Sequence, residues 1–400
     1  MICLHKYDFE SVVNRRGTDS LKWDGMNERF GQVPEDALPM WVADMDFLSP
    51  PCVIEAILER AKQGVFGYVQ APVSTFEAVA GWMRSIHRWE VDTGSIDFCP
   101  GVMPAVGVAI RAFSKPGDGV VIQPPVYPPF FRIIEDNQRK VVENPLINQN
   151  GSFGMDMEDL KVKLADPRNR ILLLCSPHNP VGRVWTKEEL ERVERLCLDT
   201  GTLLLSDEIH ADIVFKPFRH IPAASFDPVL AGNIITCVSP SKTFNIPGLQ
   251  TAYTIITDPA LRVGFQASLR ATAIGGHHSN FGLVAGDAAY KGGAPWRDAM
   301  LEYIMGNRDL ALSFFKKYMP WVAVSDPEGT YLLWLDFNEC RETEEMINER
   351  LLKKGKVVLD PGSWFGKEWS GWQRLNLACP RSLLKDGLER IKRSFEDLCL

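Results

Sequence analysis

The sequence predicts an α/β protein, with a large domain on a mainly parallel sheet and a smaller α+β domain beside it. Two observations carry this. Between about residues 100 and 260, short apolar runs alternate with helix-like patterns, and strands apolar on both faces belong in a sheet covered on both sides. After about residue 285 the alternation gives way to a long helical stretch followed by strands. At 400 residues, 45% apolar and 24% charged, the chain has a globular balance and is too long for one small core. The large domain is placed at 49–286. The small domain is placed at 287–400, completed by 1–48.

Residues 1–48 carry no long helical pattern. "LPMWVADMDF" (38–47) leads into "SPPCVIEAILERAKQG" (49–64), a helix with Ser49 expected as N-cap, prolines in its first turn and Gly64 beyond its end. The strands expected next are "GVVIQ" (119–123), "RILLLCS" (170–176), "TLLLSD" (202–207), "NIITCVS" (233–239) and "AYTIIT" (252–257). Between two of them, "TKEELERVERLCLDTG" (186–201) reads as a helix capped by Thr186, acidic in its first turn and stopped by Gly201. A helix over 295–318, strands at 330–337, 356–360 and 372–378, and a helical tail over 382–398 complete the pattern.

The formal charge of −7 argues against nucleic-acid and anionic-membrane partners, which favour basic surfaces. No apolar run approaches the roughly 20 residues that span a bilayer. The nine cysteines are scattered without a CxxC pair, as expected of free thiols in a reducing compartment. The opening "MICLHKYDFE" meets charge too early for a signal peptide, so a cytoplasmic location is expected.

Ligands of open α/β sheets gather at the carboxyl ends of the strands. Three polar clusters fall there: "SPHNPVG" (176–182), "SDEIH" (206–210) and "SPSK" (239–242). Taken singly each has an ordinary reading: a turn, a cap with a structural imidazole, and a solvated lysine. Asp207, Glu208 and His210 have no second cluster to complete a metal's coordination sphere, so no metal is expected.

Taken together, the motifs "PMWVADMDF", "PPVYPPF", "SPHNPVGRVW", "SDEIHADIV", "SKTFNIPGLQ", "PEGTYLLWLDF" and "RLNLACPR" resemble the fold-type I, aspartate-aminotransferase-like family of pyridoxal-phosphate enzymes. In their order they look like its cystathionine β-lyase (MalY/PatB) branch, and the likeness runs along essentially the whole chain. The resemblance implies the pyridoxal-phosphate-dependent transferase fold with a seven-stranded sheet.

It also implies the site. Lys242 resembles the lysine that joins the cofactor covalently and then takes the Cα proton, which requires a partly deprotonated amine. Asp207 resembles the carboxylate paired with the pyridine nitrogen. Asn179 and His210 match groups that serve the ring's phenolic oxygen, and Tyr127 matches the aromatic stacked on the ring, expected also, as an alternative to Lys242, to assist the leaving thiolate. The cofactor's phosphate would fall to the amides around Val102 and Met103, at the start of the helix within "PGVMPAVGVAIRAF", and to the hydroxyls of Ser239 and Ser241. Tyr68 matches a tyrosine that reaches the neighbouring subunit's phosphate, implying a homodimer with shared active sites.

For an amino-acid substrate, Arg374 resembles the clamp on the α-carboxylate, with Arg381 a structural arginine. Asp44 and the backbone near Ala43 match the segment that closes over the substrate. Trp41 and Trp364 are candidates for its side-chain pocket or for core packing. The chain departs from the broad family at Gln250, where many relatives carry a phosphate-binding arginine.

The reaction implied is carbon–sulfur β-elimination from cystathionine or a related S-substituted cysteine, giving a thiol, pyruvate and ammonia. An aminotransferase, a β- or γ-replacement enzyme and a non-catalytic cofactor-binding regulator are the alternatives.

Overall fold

Seven strands make the central sheet: β1 (Ile96–Cys99), β2 (Gly119–Ile122), β3 (Lys140–Glu143), β4 (Asn169–Cys175), β5 (Leu203–Asp207), β6 (Ile234–Val238) and β7 (Ala252–Ile255). The computed structural model describes residues 7–149, 151–275 and 278–398. Across the sheet the order is β1-β7-β6-β5-β4-β2-β3. Every strand runs in one direction except β7, which pairs antiparallel with β1 and β6.

The apolar runs that predicted these strands are divided between the two faces. Leu172, Leu174, Leu204 and Ile234 enter one core, and Ile171, Leu173, Leu203, Leu205 and Ile235 enter the other. Asp207 continues the alternation of Leu203 and Leu205, so it emerges on the second face. There it lies in register with Cys175 of β4 and Cys237 of β6. That face is covered by helix α1 (Val102–Phe113), whose Val102, Ala105, Val106 and Ala109 belong to the same core.

Two strands of the central sheet escaped the sequence reading. β1 and β3 have four residues each, Asp97 interrupts the first, and β3 lies on the sheet edge with both its ends exposed.

The second sheet is antiparallel, with β8 (Ala323–Val324), β9 (Leu332–Asp336), β10 (Asp360–Pro361) and β11 (Trp372–Asn376) in the order β8-β9-β11-β10. The single strand expected at 356–360 is divided between two partners. Val357 and Val358 pair in parallel with Leu38 and Pro39, and Asp360 joins β11. The N-terminal segment is thereby stitched to the C-terminal part of the chain.

Helix α2 (Lys187–Thr200) has the expected ends. Thr186 Oγ1 accepts from the Glu189 amide at 3.2 Å, the Thr186 amide donates to Glu189 Oε2 at 2.8 Å, and Gly201 takes φ 67°. The Ser49 cap is corrected. The helix is Pro51–Lys62 with Pro50 at its cap, and Ser49 Oγ donates instead to the Asn245 carbonyl at 3.1 Å. Pro51 has no N–H to be capped. The long helix spans Ala294–Tyr318, and the tail is helical over Arg381–Arg393 only. Among the described residues, no helix is long and apolar enough to cross a membrane.

Candidate active site

At the carboxyl ends of β4, β5 and β6 lies a cavity of about 200 Å³. The strand ends bring Asn179, Asp207, His210, Ser239, Ser241 and Lys242 to its wall. Ala43 comes from the N-terminal segment, Val102 and Met103 from the start of α1, and Tyr127 from the loop after β2.

Lys242 rides on a one-turn helix, Pro240–Thr243. Ser239 caps that turn, its Oγ accepting from the Ser241 amide at 3.0 Å. The Lys242 amine donates to the Ala43 carbonyl at 2.6 Å. Burial draws its pKa down to about 8; Arg374 acts in the same direction, while Asp44 and Asp207 oppose it. Near neutral pH a useful fraction of the amine is therefore free base.

Asp207 is 3% exposed, and its side chain accepts one hydrogen bond, from the Ile209 amide at 3.1 Å. Burial pushes its pKa up to about 7 against the pull of that bond and of Lys242. Its neighbours Cys175 and Cys237 are held as neutral thiols by their own burial. A carboxylate so short of partners calls for a cationic group in the cavity.

His210 is 2% exposed, and burial beside Lys242 and Arg374 holds it well below the ordinary imidazole range, in the neutral form. Burial raises the Tyr127 phenol, so it too is neutral. Ser239 Oγ also donates to the Thr251 carbonyl at 2.6 Å and lies 2.8 Å from Ser241 Oγ. Its only proton is spent, which leaves Ser241 as the hydroxyl able to turn to a ligand. The first amides of α1, at Val102 and Met103, have no preceding helical carbonyl to serve, and both residues line the same cavity.

Arg374, on β11, reaches the site through Asn179. Its Nη1 donates to Asn179 Oδ1 at 3.0 Å and its Nη2 to the Trp41 carbonyl at 3.0 Å, and it is ion-paired with Asp360. Its guanidinium lies 4.9 Å from the centre of the Phe365 ring.

Other anticipated residues fall elsewhere. Asp44 pairs its carboxylate with Arg15, at 2.6 Å, and although it acts on the Lys242 amine it does not line the cavity, where its neighbour Ala43 does. Trp41 and Trp364 pack around Phe30, with ring centres 5.0 and 5.5 Å away, and do not line the cavity. Arg381 covers the Tyr303 ring at 4.6 Å. Tyr68 is fully exposed and meets no site residue of its own chain.

Sequence reasoning missed several parts of the wall: Cys175, Ile209, Pro247 and Thr251. It also missed Tyr331, whose hydroxyl donates to the Ala43 carbonyl at 2.9 Å, and Asp360. Tyr331, Ile209 and Pro247 lie inside the quoted motifs "PEGTYLLWLDF", "SDEIHADIV" and "SKTFNIPGLQ"; Cys175, Thr251 and Asp360 carry no signal of their own.

The family model for class I and II aminotransferases matches residues 36–391. The chain belongs to the class I and II aminotransferase family. Within it, the chain is 45% identical to cystathionine β-lyase PatB of Bacillus subtilis, over 96% of this chain and 99% of that protein. It is 38% identical to protein MalY of Escherichia coli, over 96% of this chain and 97% of that protein. These likenesses place it in the MalY/PatB branch of the aminotransferase family. Among solved structures, cystalysin of Treponema denticola, which contains pyridoxal 5′-phosphate, superposes with a TM-score of 0.94 at 37% identity. That match covers 98% of this chain and 99% of cystalysin.

The residues fit the cofactor of this aminotransferase family. An amine with a lowered pKa, a buried carboxylate lacking a cation, and free helix amides beside a serine hydroxyl share one cavity. Gln250 lines that cavity too, and Lys242 is its one cationic side chain among the described residues. A phosphate bound beside Val102 and Met103 would therefore rely on neutral donors.

Proposed function

We propose that the chain is a pyridoxal-phosphate-dependent carbon–sulfur β-lyase that converts cystathionine or a related S-substituted cysteine into a thiol, pyruvate and ammonia. The observation that carries it is the Lys242 amine, free base in part near neutral pH, in one cavity with Asp207. The likeness to PatB along nearly the whole chain supports a lyase in particular.

Arg374 binds the substrate carboxylate through its paired N–H groups and, with Asn179, orients Cα. Lys242 removes the Cα proton. Asp207 holds a proton at the ring nitrogen by presenting its carboxylate in a dry site. The bound pyridoxal phosphate supplies an electron sink for the charge left at Cα. A thiolate then leaves from Cβ with little need of an acid, and hydrolysis of the remaining fragment releases pyruvate and ammonia.

The reading includes a large domain over 49–286 and a small one from 1–48 and 287–400, supported by the confinement of each sheet to one of them. It includes a homodimer. Val65, Phe66, Tyr68 and Val73 are all exposed, and a second copy would cover this stretch and receive Tyr68 at its phosphate site. It includes a cytoplasmic location, supported by seven described cysteines that are all free.

Incubation of the purified protein with cystathionine and no added keto acid tests the activity. Pyruvate is expected; a strict requirement for a keto acid would instead make the protein an aminotransferase.

A further inference from the structure

Bonded to the Lys242 turn, and contributing nothing to the cavity wall, lies a buried polar layer for which the proposed mechanism has no use. Asp212, 8% exposed, is its centre. Asp212 Oδ2 accepts from Thr243 Oγ1 at 2.7 Å, and Thr243 is the residue next to Lys242. Asp212 Oδ1 receives the Trp82 indole N–H at 2.9 Å and meets His87 Nε2 at 2.7 Å. One carboxylate therefore ties the Lys242 turn to the helix end at 82–87.

The layer continues to the other half of the site. The His87 ring lies edge-on to His220, 5.5 Å between centres. His220 Nε2 meets Glu208 Oε2 at 2.8 Å, and Glu208 follows Asp207 directly in the chain. Glu208 Oε1 takes the Ser206 hydroxyl at 3.0 Å and the Ala223 amide at 2.9 Å. Both carboxylates are fully engaged, which separates this layer from a chance burial of charge.

We propose that Asp212, acting through Thr243, positions Lys242, and that the Asp212–His87–His220–Glu208 layer holds the Lys242 turn and the Asp207 loop as one unit. The reason is geometric. A one-turn helix has too few internal hydrogen bonds to hold itself, and its own cap reaches only its second residue, Ser241. The Thr243 hydroxyl is the side-chain bond at the other end of that turn. Without it, Lys242 keeps its place in the sequence but loses its fixed approach to the cavity.

The inference rests on Lys242 being the cofactor-binding amine. That reading is tested apart from it: if Lys242→Ala protein loaded with pyridoxal phosphate still gave a borohydride-reducible species, the reading would fail whatever Thr243 does.

The test compares Thr243→Val, Thr243→Ser and Asp212→Asn with the parent protein. Two quantities are followed: the rate at which cofactor-free protein takes up pyridoxal phosphate as a function of pH, and kcat and KM separately. In the parent the uptake rate should rise with a midpoint near 8. In Thr243→Val a looser, wetter amine should move that midpoint upward, and kcat should fall about tenfold with KM little changed. Thr243→Ser should restore both. Adding Thr243→Val to Asp212→Asn should have little further effect, because the two changes break the same bond. Should Asp212→Asn fail to fold, Thr243→Val, which removes one hydroxyl, decides alone. An unmoved midpoint and unchanged kcat in folded Thr243→Val protein would reduce the contact to packing and overturn the proposal.

Discussion

The Lys242 amine and the Ala43 carbonyl meet at 2.6 Å, although 199 residues separate them in the chain. The contact makes the N-terminal segment part of the cavity wall. It also holds the amine in a setting where burial outweighs the two nearby carboxylates.

Replacing Lys242 by alanine should lower elimination by at least about a thousandfold, since both the covalent anchor and the Cα base are lost. The measurement is pyruvate release from cystathionine. Retention of more than a tenth of the activity would mean that another group takes the proton.

Asp207→Asn should cost about two orders of magnitude in kcat by removing the charge opposite the ring nitrogen. In the cofactor-free protein the same change should be stabilising at pH 8. The folded carboxyl titrates near 7, above its value of about 4 in an unfolded chain. The folded state therefore binds the extra proton, and stability falls as pH rises between those values. Melting temperatures of parent and variant should converge at pH 4 and separate at pH 8.

Glu194 should behave in the same sense without touching catalysis. It is 2% exposed within α2, and neither carboxylate oxygen has a hydrogen-bond partner. Burial, with Glu208 nearby, pushes its pKa up to about 9. Its proton is retained on folding, so the stability it withholds grows from about pH 5 to 9. Glu194→Met should raise the melting temperature clearly at pH 8 and little at pH 5. A variant that melts lower than the parent at pH 8 would contradict this account.

Arg374→Lys should reduce kcat/KM by roughly 10- to 100-fold, because an ammonium cannot serve Asn179, the Trp41 carbonyl and a substrate carboxylate in one plane. Steady-state kinetics with cystathionine would show it. An effect confined to thermal stability would assign Arg374 to the fold alone.

Much of this site was legible because its chemistry sits at strand ends. Asn179, Asp207 and Lys242 each follow a near-continuous apolar run, and such runs are plain in a parallel sheet. The short polar strands β1 and β3 were not legible, since four residues with an interrupting Asp97 show no period. Ser49 was misread because its hydroxyl found a partner 196 residues away, a contact that local cap chemistry does not contain. The pairing of the Asp44 carboxylate with Arg15, 29 residues away, is likewise absent from any local pattern. Tertiary partners decided each of these.

The hold of Arg374 on Asn179 and on the Trp41 carbonyl has a consequence for synthesis. These partners lie 195 and 333 residues from it in the chain. While the ribosome is still making β11, the polypeptide already contains Lys242 and the whole seven-stranded sheet, but not Arg374. A chain that ended before β11 would thus hold every residue that lines the Lys242 cavity and still lack Arg374.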